Sequence, residues 1–249
     1  KLEIGLYKGG SHEILPIPQC RVHHPIVNEA AAAVQIEAEA LRIRGYDDMS
    51  GDGELRYIQV AVERFSQKAQ ITLVWNDVNF RVAAEAQLLV KALKQNHGDV
   101  VHSVWVNFRT GGGNVIFSRK KEDWHLAYGP EYVTERLGVG SNPTFPLSPK
   151  MFRQGNLDQF AKIVESVEKY VPAGAKVTEL YAGVGIIGLS AALHKCEWLR
   201  MSDENPANLA AFLRIKAKFA PEFRGKAKYE VLSAEDAVEE GQVAGADLV

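Results

Sequence analysis

From about residue 157 to Val249, helix-like and strand-like apolar segments take turns, and this alternation constrains the fold more than any other feature of the chain. Leu157, Phe160, Ile163, Val164, Val167 and Val171 recur at helical spacing, and Pro172-Ala173-Gly174 closes that helix. "AKVTELY" reads as a buried strand, "GLSAALHK" as a helix, "WLRMSDE" as a second strand and "NPANLAAFLRIKAKFA" as a second helix. "AKYEVLSAED" reads as a third strand, and "ADLV" as the first residues of a fourth. A β-α-β-α-β series is the parallel half-sheet of a nucleotide-binding, Rossmann-like α/β domain. Three or four strands are about half of such a sheet and would leave apolar edges exposed, so the natural protein is expected to continue past Val249.

The first 145 residues follow another pattern. Leu2, Ile4 and Leu6 alternate with polar or small residues, and Gly9-Gly10 turns the chain into "HEILPI", a hairpin signal. Pro25 opens an alanine-rich helix running to about Ile43. "LRYIQVAVERF" and "AQITLVWN" form a second strand pair, residues 79–96 a second helix, and "VVHSVWVNFR", "NVIFSRK" and "WHLAYG" further strands around a Thr110-to-Asn114 turn. The order ββα, ββα, βββ predicts an α+β domain with a mainly antiparallel sheet. "SNPTFPLSP", with three prolines, reads as a linker or extended segment, so the domains are expected at 1–143 and 144–249.

Composition excludes some classes. The chain has no run of about 18 apolar residues for a membrane span, and Lys1-Leu2-Glu3-Ile4 lacks the features of a signal peptide. Two distant cysteines, Cys20 and Cys196, build no disulfide framework and fit a reducing intracellular compartment, cytoplasmic or organellar. The net charge of −2 rules out a bulk polycation, so any nucleic acid must bind through a local patch.

Gly183, Gly185 and Gly188 stand at G-x-G-x-x-G spacing between strand and helix, with Asp203-Glu204 about 20 residues on at the end of the next strand. Glycine lets a ligand come close, helix-terminal amides can face an anion, and an acid there can hold both ribose hydroxyls. NAD, FAD and S-adenosylmethionine all fit this pattern. Two features tilt towards the methyl donor. Glu179 leads into the loop, where it suits a cationic sulfonium and amino group better than a pyrophosphate. The extra helix introduced by "SPKMFRQGN" is common in methyltransferases.

"FPLSPKMFRQGN", with the F-x-Q-x-N core Phe152, Gln154 and Asn156, is followed at the usual distance by "VTELYAGVGIIGLSAA". Together they resemble the RNA 5-methyluridine (uracil-C5) methyltransferases of the TrmA/RumA type. "IGLYKGGSHEILPIPQCRVHHPIVNEA" and "LRYIQVAVERFSQKAQITLVWN" are similar to that family's central domain, and the whole looks closest to eukaryotic, plant-like members. The resemblance implies S-adenosyl-L-methionine as cofactor and a transfer or ribosomal RNA as partner, with a monomer expected. It also implies that Gln154 contacts the methionine end, Tyr181, Gly183 and Gly185 form the loop, and Glu204 holds the ribose. Ser233 stands where many members carry an aspartate for the adenine amino group, so Ser233, Glu235 or Asp236 must serve there. Ala182 stands where the family often has cysteine, and reads as packing.

The chemistry implied by the resemblance starts with a cysteine thiolate adding to carbon 6 of uracil, which makes carbon 5 nucleophilic; a carboxylate later removes the carbon-5 proton. Both groups are expected beyond Val249, so no catalytic residue is assigned within the chain, which by itself is expected to be inactive. Cys196 reads as a buried structural thiol. Cys20, with His23 and His24, reads as a loop or helix start rather than a metal site; in some members its position is the last of four cysteines holding an iron–sulfur cluster. Arg109, Arg119, Lys120, Lys121 and Arg153 are the basic residues expected nearest an RNA path, positioning phosphates rather than reading bases. A non-catalytic protein binding RNA or S-adenosylmethionine is the competing reading, and an NAD-dependent oxidoreductase a third.

Overall fold

The computed structural model describes residues 2–113, 115–140 and 142–249. Lys1, Asn114 at the end of the expected glycine turn, and Ser141 at the head of the proline-rich segment lie outside the described residues. The chain forms two compact units, Lys1–Val133 and Thr134–Val249. The division falls ten residues before the boundary expected at 143/144, inside a short strand whose pairing ties residues 134–143 to the second unit.

In the first unit, β1 (Gly5–Tyr7) and β2 (Ile14–Pro16) make the expected antiparallel hairpin. Helix α1 (Pro25–Ala40) has Pro25 in its first turn and is capped by His24, whose ring Nδ1 accepts from Ile26 N at 3.3 Å. Asn28 brackets the backbone of Cys20, accepting from its N–H and donating to its carbonyl, so Cys20 and His24 serve the helix start. Strands β3 (Leu55–Glu63), β4 (Lys68–Trp75), β5 (Val101–Phe108) and β6 (Trp124–Tyr128) form one sheet in that order. One joint departs from the antiparallel expectation: β4 and β5 run parallel, because α2 (Ala84–Asn96) between them is a crossover rather than a turn. Ala33, Val34 and Ala38 of α1 and Ala86, Leu89 and Leu93 of α2 pack with Ile71, Leu73 and Val106 of the sheet to form the core. Glu37 joins the helices, accepting from Asn96 Nδ2 at 3.0 Å and meeting His97 Nε2 at 2.8 Å; these bonds hold its carboxyl below the usual range.

"NVIFSRK" is not a strand. Its described residues, 115–120, form bends, because side chains take the place of a ladder. Ser118 N donates to Asn107 Oδ1 at 2.8 Å, and the Ser118 carbonyl accepts from Trp124 Nε1 at 2.8 Å. Strand β5 therefore pairs directly with β6.

In the second unit, β7 (Val133–Glu135) and β8 (Phe145–Leu147) form a two-stranded sheet, so part of the proline-rich segment is extended. Helix α3 (Leu157–Tyr170) starts at Asn156, whose side chain accepts from Gln159 N at 3.0 Å. Replacing Asn156 with Ala is expected to cost about 1 kcal/mol of stability, read as a lowered urea midpoint at unchanged slope. Phe160 and Val164 pack on Ala191 with Val167, Ile186 and Ile187 around them. The parallel sheet has the order β11 (Ala227–Glu230), β10 (Trp198–Ser202), β9 (Lys176–Glu179), and Leu248 makes a parallel bridge to Val177 on the free side of β9.

Three details differ from the expected alternation. The segment after the glycine loop is one short π-helical turn, Gly188–Ala192, with Leu193 N donating to Gly188 O. The third strand stops at Glu230; from Ser233 the chain turns into α6 (Ala234–Glu239), because the Ser233 hydroxyl caps it by accepting from Asp236 N at 3.0 Å. Between α4 (Pro206–Lys216) and β11 lies a six-residue helix, α5 (Pro221–Lys226), which apolar spacing does not reveal. Among the described residues, no helix is long and apolar enough to cross a membrane.

Candidate functional site

After β9 the chain continues to neighbours on both of its sides, β10 on one and Leu248 on the other. The carboxyl end of β9 is thus a topological switch point, the place where open α/β sheets bind ligands. The glycine loop sits there.

Each glycine has its own reason. Gly183 takes φ +56° and a side chain built on it would meet nothing within 4 Å, so its outer face is open. Gly185 takes φ +84° and packs against Met201 and Leu189. A Cβ on Gly188 would lie 2.4 Å from Glu179 Oε2 and 3.1 Å from Leu199, so only glycine lets this turn close on the strand.

Two carboxylates take the amides of this loop. Glu179 Oε2 accepts from Gly188 N at 2.9 Å, and Asp203 Oδ2 accepts from Gly183 N at 3.0 Å. Asp203 Oδ1 also accepts from Asn205 N at 2.9 Å and from buried Asn208 Nδ2 at 3.0 Å. Amides that would cradle a pyrophosphate in a dinucleotide site are here committed to the side chains of two acids, which leaves no donor for a phosphate and sets beside the loop a carboxyl that a bound cation would ionise. Burial pushes the Glu179 carboxyl up to about 8; the Gly188 N–H opposes this and the Asp203 charge adds to it. On the far side of β10, Tyr229 donates its hydroxyl to Gly183 O at 2.6 Å and packs on Phe212; burial, then the charges of Asp203 and Glu179, raise its pKa.

The sequence-predicted residues fall as follows. Tyr181 is exposed and holds φ +53°, a conformation uncommon for tyrosine, at the head of the loop. Glu204 is exposed beside Asp203, with no hydrogen bond of its own side chain among those the described residues form. Gln154 is exposed in the segment between β8 and α3, and Asn205 Nδ2 donates to Lys150 O at 2.8 Å, tying the start of that segment to the end of β10. Gly183 and Gly185 form the loop itself, while Ser233 spends its hydroxyl on capping α6. Asp203 and Tyr229 carry the loop geometry, and neither was singled out for that from sequence. The signal available was an aromatic two residues past buried Ala227 on the third strand.

Cys196 is buried at the opposite, amino-terminal end of β10, its thiol near Leu193 O, and burial raises its pKa. Arg153 pairs with buried Glu135, which distinguishes it from exposed Arg119, Lys120 and Lys121. Among the described residues, no three His, Cys, Asp or Glu side chains are arranged to hold a metal.

No family model matches the chain. It is 38% identical over 250 residues to an uncharacterized RNA methyltransferase of Protochlamydia amoebophila, spanning 99% of this chain and 63% of that protein. It is 31% identical over 188 residues to an uncharacterized RNA methyltransferase of Geobacter sulfurreducens, spanning 75% of this chain and 36% of that protein. The chain therefore spans less than two thirds of the length of these relatives. Among solved structures, Pyrococcus abyssi tRNA (uracil-54, C5)-methyltransferase, crystallised with S-adenosyl-L-homocysteine, superposes with a TM-score of 0.70 at 20% identity, over 91% of this chain and 51% of that one. The chain thus shares its α/β fold with that methyltransferase structure and is similar in sequence over nearly its whole length to a protein named as an RNA methyltransferase.

Proposed function

We propose that the second unit binds S-adenosyl-L-methionine and that the protein methylates carbon 5 of a uridine in RNA. The observation that carries the cofactor reading is the pair of acids, Glu179 and Asp203, that occupy the glycine-loop amides. A dinucleotide site needs those donors for phosphate; a sulfonium with an amino group is served instead by acids at the loop that it can pair with or ionise. The open face of Gly183 gives room for the ligand, and exposed Glu204 offers acceptors for ribose hydroxyls at the strand end. Tyr181, Gly183 and Gly185 would line the loop, and Gln154 the methionine end. Ser233 keeps its cap, so the adenine contact passes to its neighbours Glu235 and Asp236.

When bound, the cofactor supplies an electrophilic methyl group. The chain's own residues hold it in place: Asp203 fixes the loop, Glu179 holds the Gly188 amide and would give up its proton beside a bound cation, and Tyr229 pins the Gly183 carbonyl. RNA as substrate and carbon 5 as target rest on the motif resemblance and on the names of the relatives. Cys196, buried and raised in pKa at the wrong end of the sheet, does not supply the nucleophile.

Isothermal titration with S-adenosylhomocysteine tests the cofactor reading. The parent chain is expected to bind, and Glu204→Ala to bind about 10- to 100-fold more weakly, since a hydrogen bond to a charged group is worth about 1.5–3 kcal/mol. Its melting temperature is expected to be unchanged. A flat titration of the parent overturns the reading.

A further inference from the structure

Two arginines of the first unit have donors that nothing in the fold uses. Arg56 lies near the start of β3, and its side chain is wholly shielded from solvent. Its guanidinium lies 3.8 Å over the Tyr46 ring. Nη1 donates to Gly111 O at 2.7 Å and to Arg109 O at 3.3 Å. Nε and Nη2 are buried and have no hydrogen-bond partner. Asp48 Oδ1 is 3.9 Å from Nη2, within ion-pair range but beyond a hydrogen bond, and Asp48 Oδ2 is engaged by Tyr7 and His12.

Arg109 follows β5 and repeats the arrangement. Its Nη2 donates to Gly112 O at 3.1 Å and Gly113 O at 2.8 Å, while its buried Nη1 has no partner. Each arginine thus holds the loop of three glycines through one terminal nitrogen and leaves others unspent, Nε and Nη2 in Arg56 and Nη1 in Arg109. The loop is bare. A side chain built on Gly111 or Gly112 would meet nothing within 4 Å, and φ of +81° at Gly111 and +106° at Gly113 requires glycine.

A guanidinium that only pinned the loop would have no reason to leave its second edge unsatisfied, since unpaired charged donors are costly to bury. Among the described residues Asp48 is the one carboxylate in ion-pair range of Arg56, and Arg109 has none, so the two guanidinium charges outnumber the acids paired with them. A phosphodiester has one negative charge and oxygens that match the two-pronged edge of arginine. We propose that Arg56, Arg109 and the glycine loop 111–113 form a phosphate-binding site that holds one phosphodiester of the RNA backbone. The choice of RNA as the source of the phosphate rests on the functional reading above. The site positions the strand and carries no base information.

Fluorescence anisotropy of a labelled RNA stem-loop with the chain tests this, across a salt series, for the parent, Arg109→Gln and Arg56→Gln. Circular dichroism identifies any variant that fails to fold, and Arg109→Gln carries the test if Arg56→Gln does. The folded variant is expected to bind about tenfold more weakly and to lower the slope of log affinity against log salt by about 0.7–0.9, the value of one phosphate contact. S-adenosylhomocysteine titration of the same variant is expected to match the parent. If the parent binds RNA and Arg109→Gln binds it with the same affinity and slope, the site is overturned while the functional reading stands. If the parent binds S-adenosylhomocysteine but no RNA, the RNA reading falls and the site falls with it. Inorganic phosphate separates the sources: if it raises the melting temperature of the parent but not of Arg109→Gln, while RNA affinity is equal in the two, the site takes free phosphate and the proposal is overturned.

Discussion

Asp203→Ala is expected to lose both stability and cofactor binding, the largest combined effect of any single change in the second unit. The carboxylate accepts from three donors: Gly183 N, Asn205 N and Asn208 Nδ2. Alanine leaves all three without a partner, at about 1–3 kcal/mol for each one that stays buried. Asn208 is buried, so its amide does not recover by turning to solvent. A loss of about 3 kcal/mol is expected, read as a melting temperature lowered by about 6–12 °C for a chain of this size. Titration with S-adenosylhomocysteine should be flat, because the loop no longer holds its shape. The comparison with Glu204→Ala makes the test specific: the neighbouring acid is exposed, and its removal should weaken binding at unchanged melting temperature. If Asp203→Ala melts with the parent, the account of the loop is wrong.

Glu179→Gln is expected to stabilise the free protein at alkaline pH and to weaken binding of the cofactor. The Glu179 carboxyl is raised to about 8 in the folded chain, well above the ordinary glutamate value. The unfolded chain therefore gives up its proton first as pH rises, and the folded state binds the extra proton between about pH 4.5 and pH 8. Stability must fall with pH across that window, is fully present below it, and has lost this contribution above it. Glutamine keeps an oxygen to accept from Gly188 N–H and has no proton to lose. The variant should thus be more stable than the parent by about 1–3 kcal/mol at pH 8.5 and nearly equal to it at pH 4.5, measured by urea unfolding at each pH. A bound cation would favour the ionised carboxylate, so S-adenosylmethionine binding should release a proton in the parent and none in Glu179→Gln. Titration in buffers of different ionisation enthalpy measures that release. Equal pH dependence in the two proteins would sink the argument.

Much of the fold is legible in the residues, for local reasons. Val104, Val106 and Phe108 alternate along β5, and Leu157, Phe160 and Val164 recur along α3, because side-chain periods of 2 and 3.6 are imposed by the backbone itself. Two of the places that misled are those where side chains compete with the backbone. Asn107 and Trp124 bind the backbone of Ser118 and remove a strand that "NVIFSRK" suggests. Ser233 caps a helix within "LSAED", which continues the apolar pattern of a strand. Gln154 and Glu204 are accessible, as the binding role proposed for them requires, whereas Arg153 is spent on Glu135, a partner 18 positions away that spacing does not reveal.

Most of the element order, the glycine positions and the acids available near them are legible in the residues alone. All of these follow from backbone periodicity and from the conformations that only glycine adopts readily. Tertiary structure alone decided which acid does what. Asp203 and Glu204 are adjacent and chemically alike, yet one holds the loop and the other faces solvent, because parallel pairing of β9 and β10 brings the Gly183 amide within 3.0 Å of Asp203. Glu179 likewise became a shielded acid with a raised pKa only when the turn at Gly188 closed over it. The same is true of Arg56 and Arg109, 53 positions apart, whose shared loop and unspent donors exist only in the folded sheet.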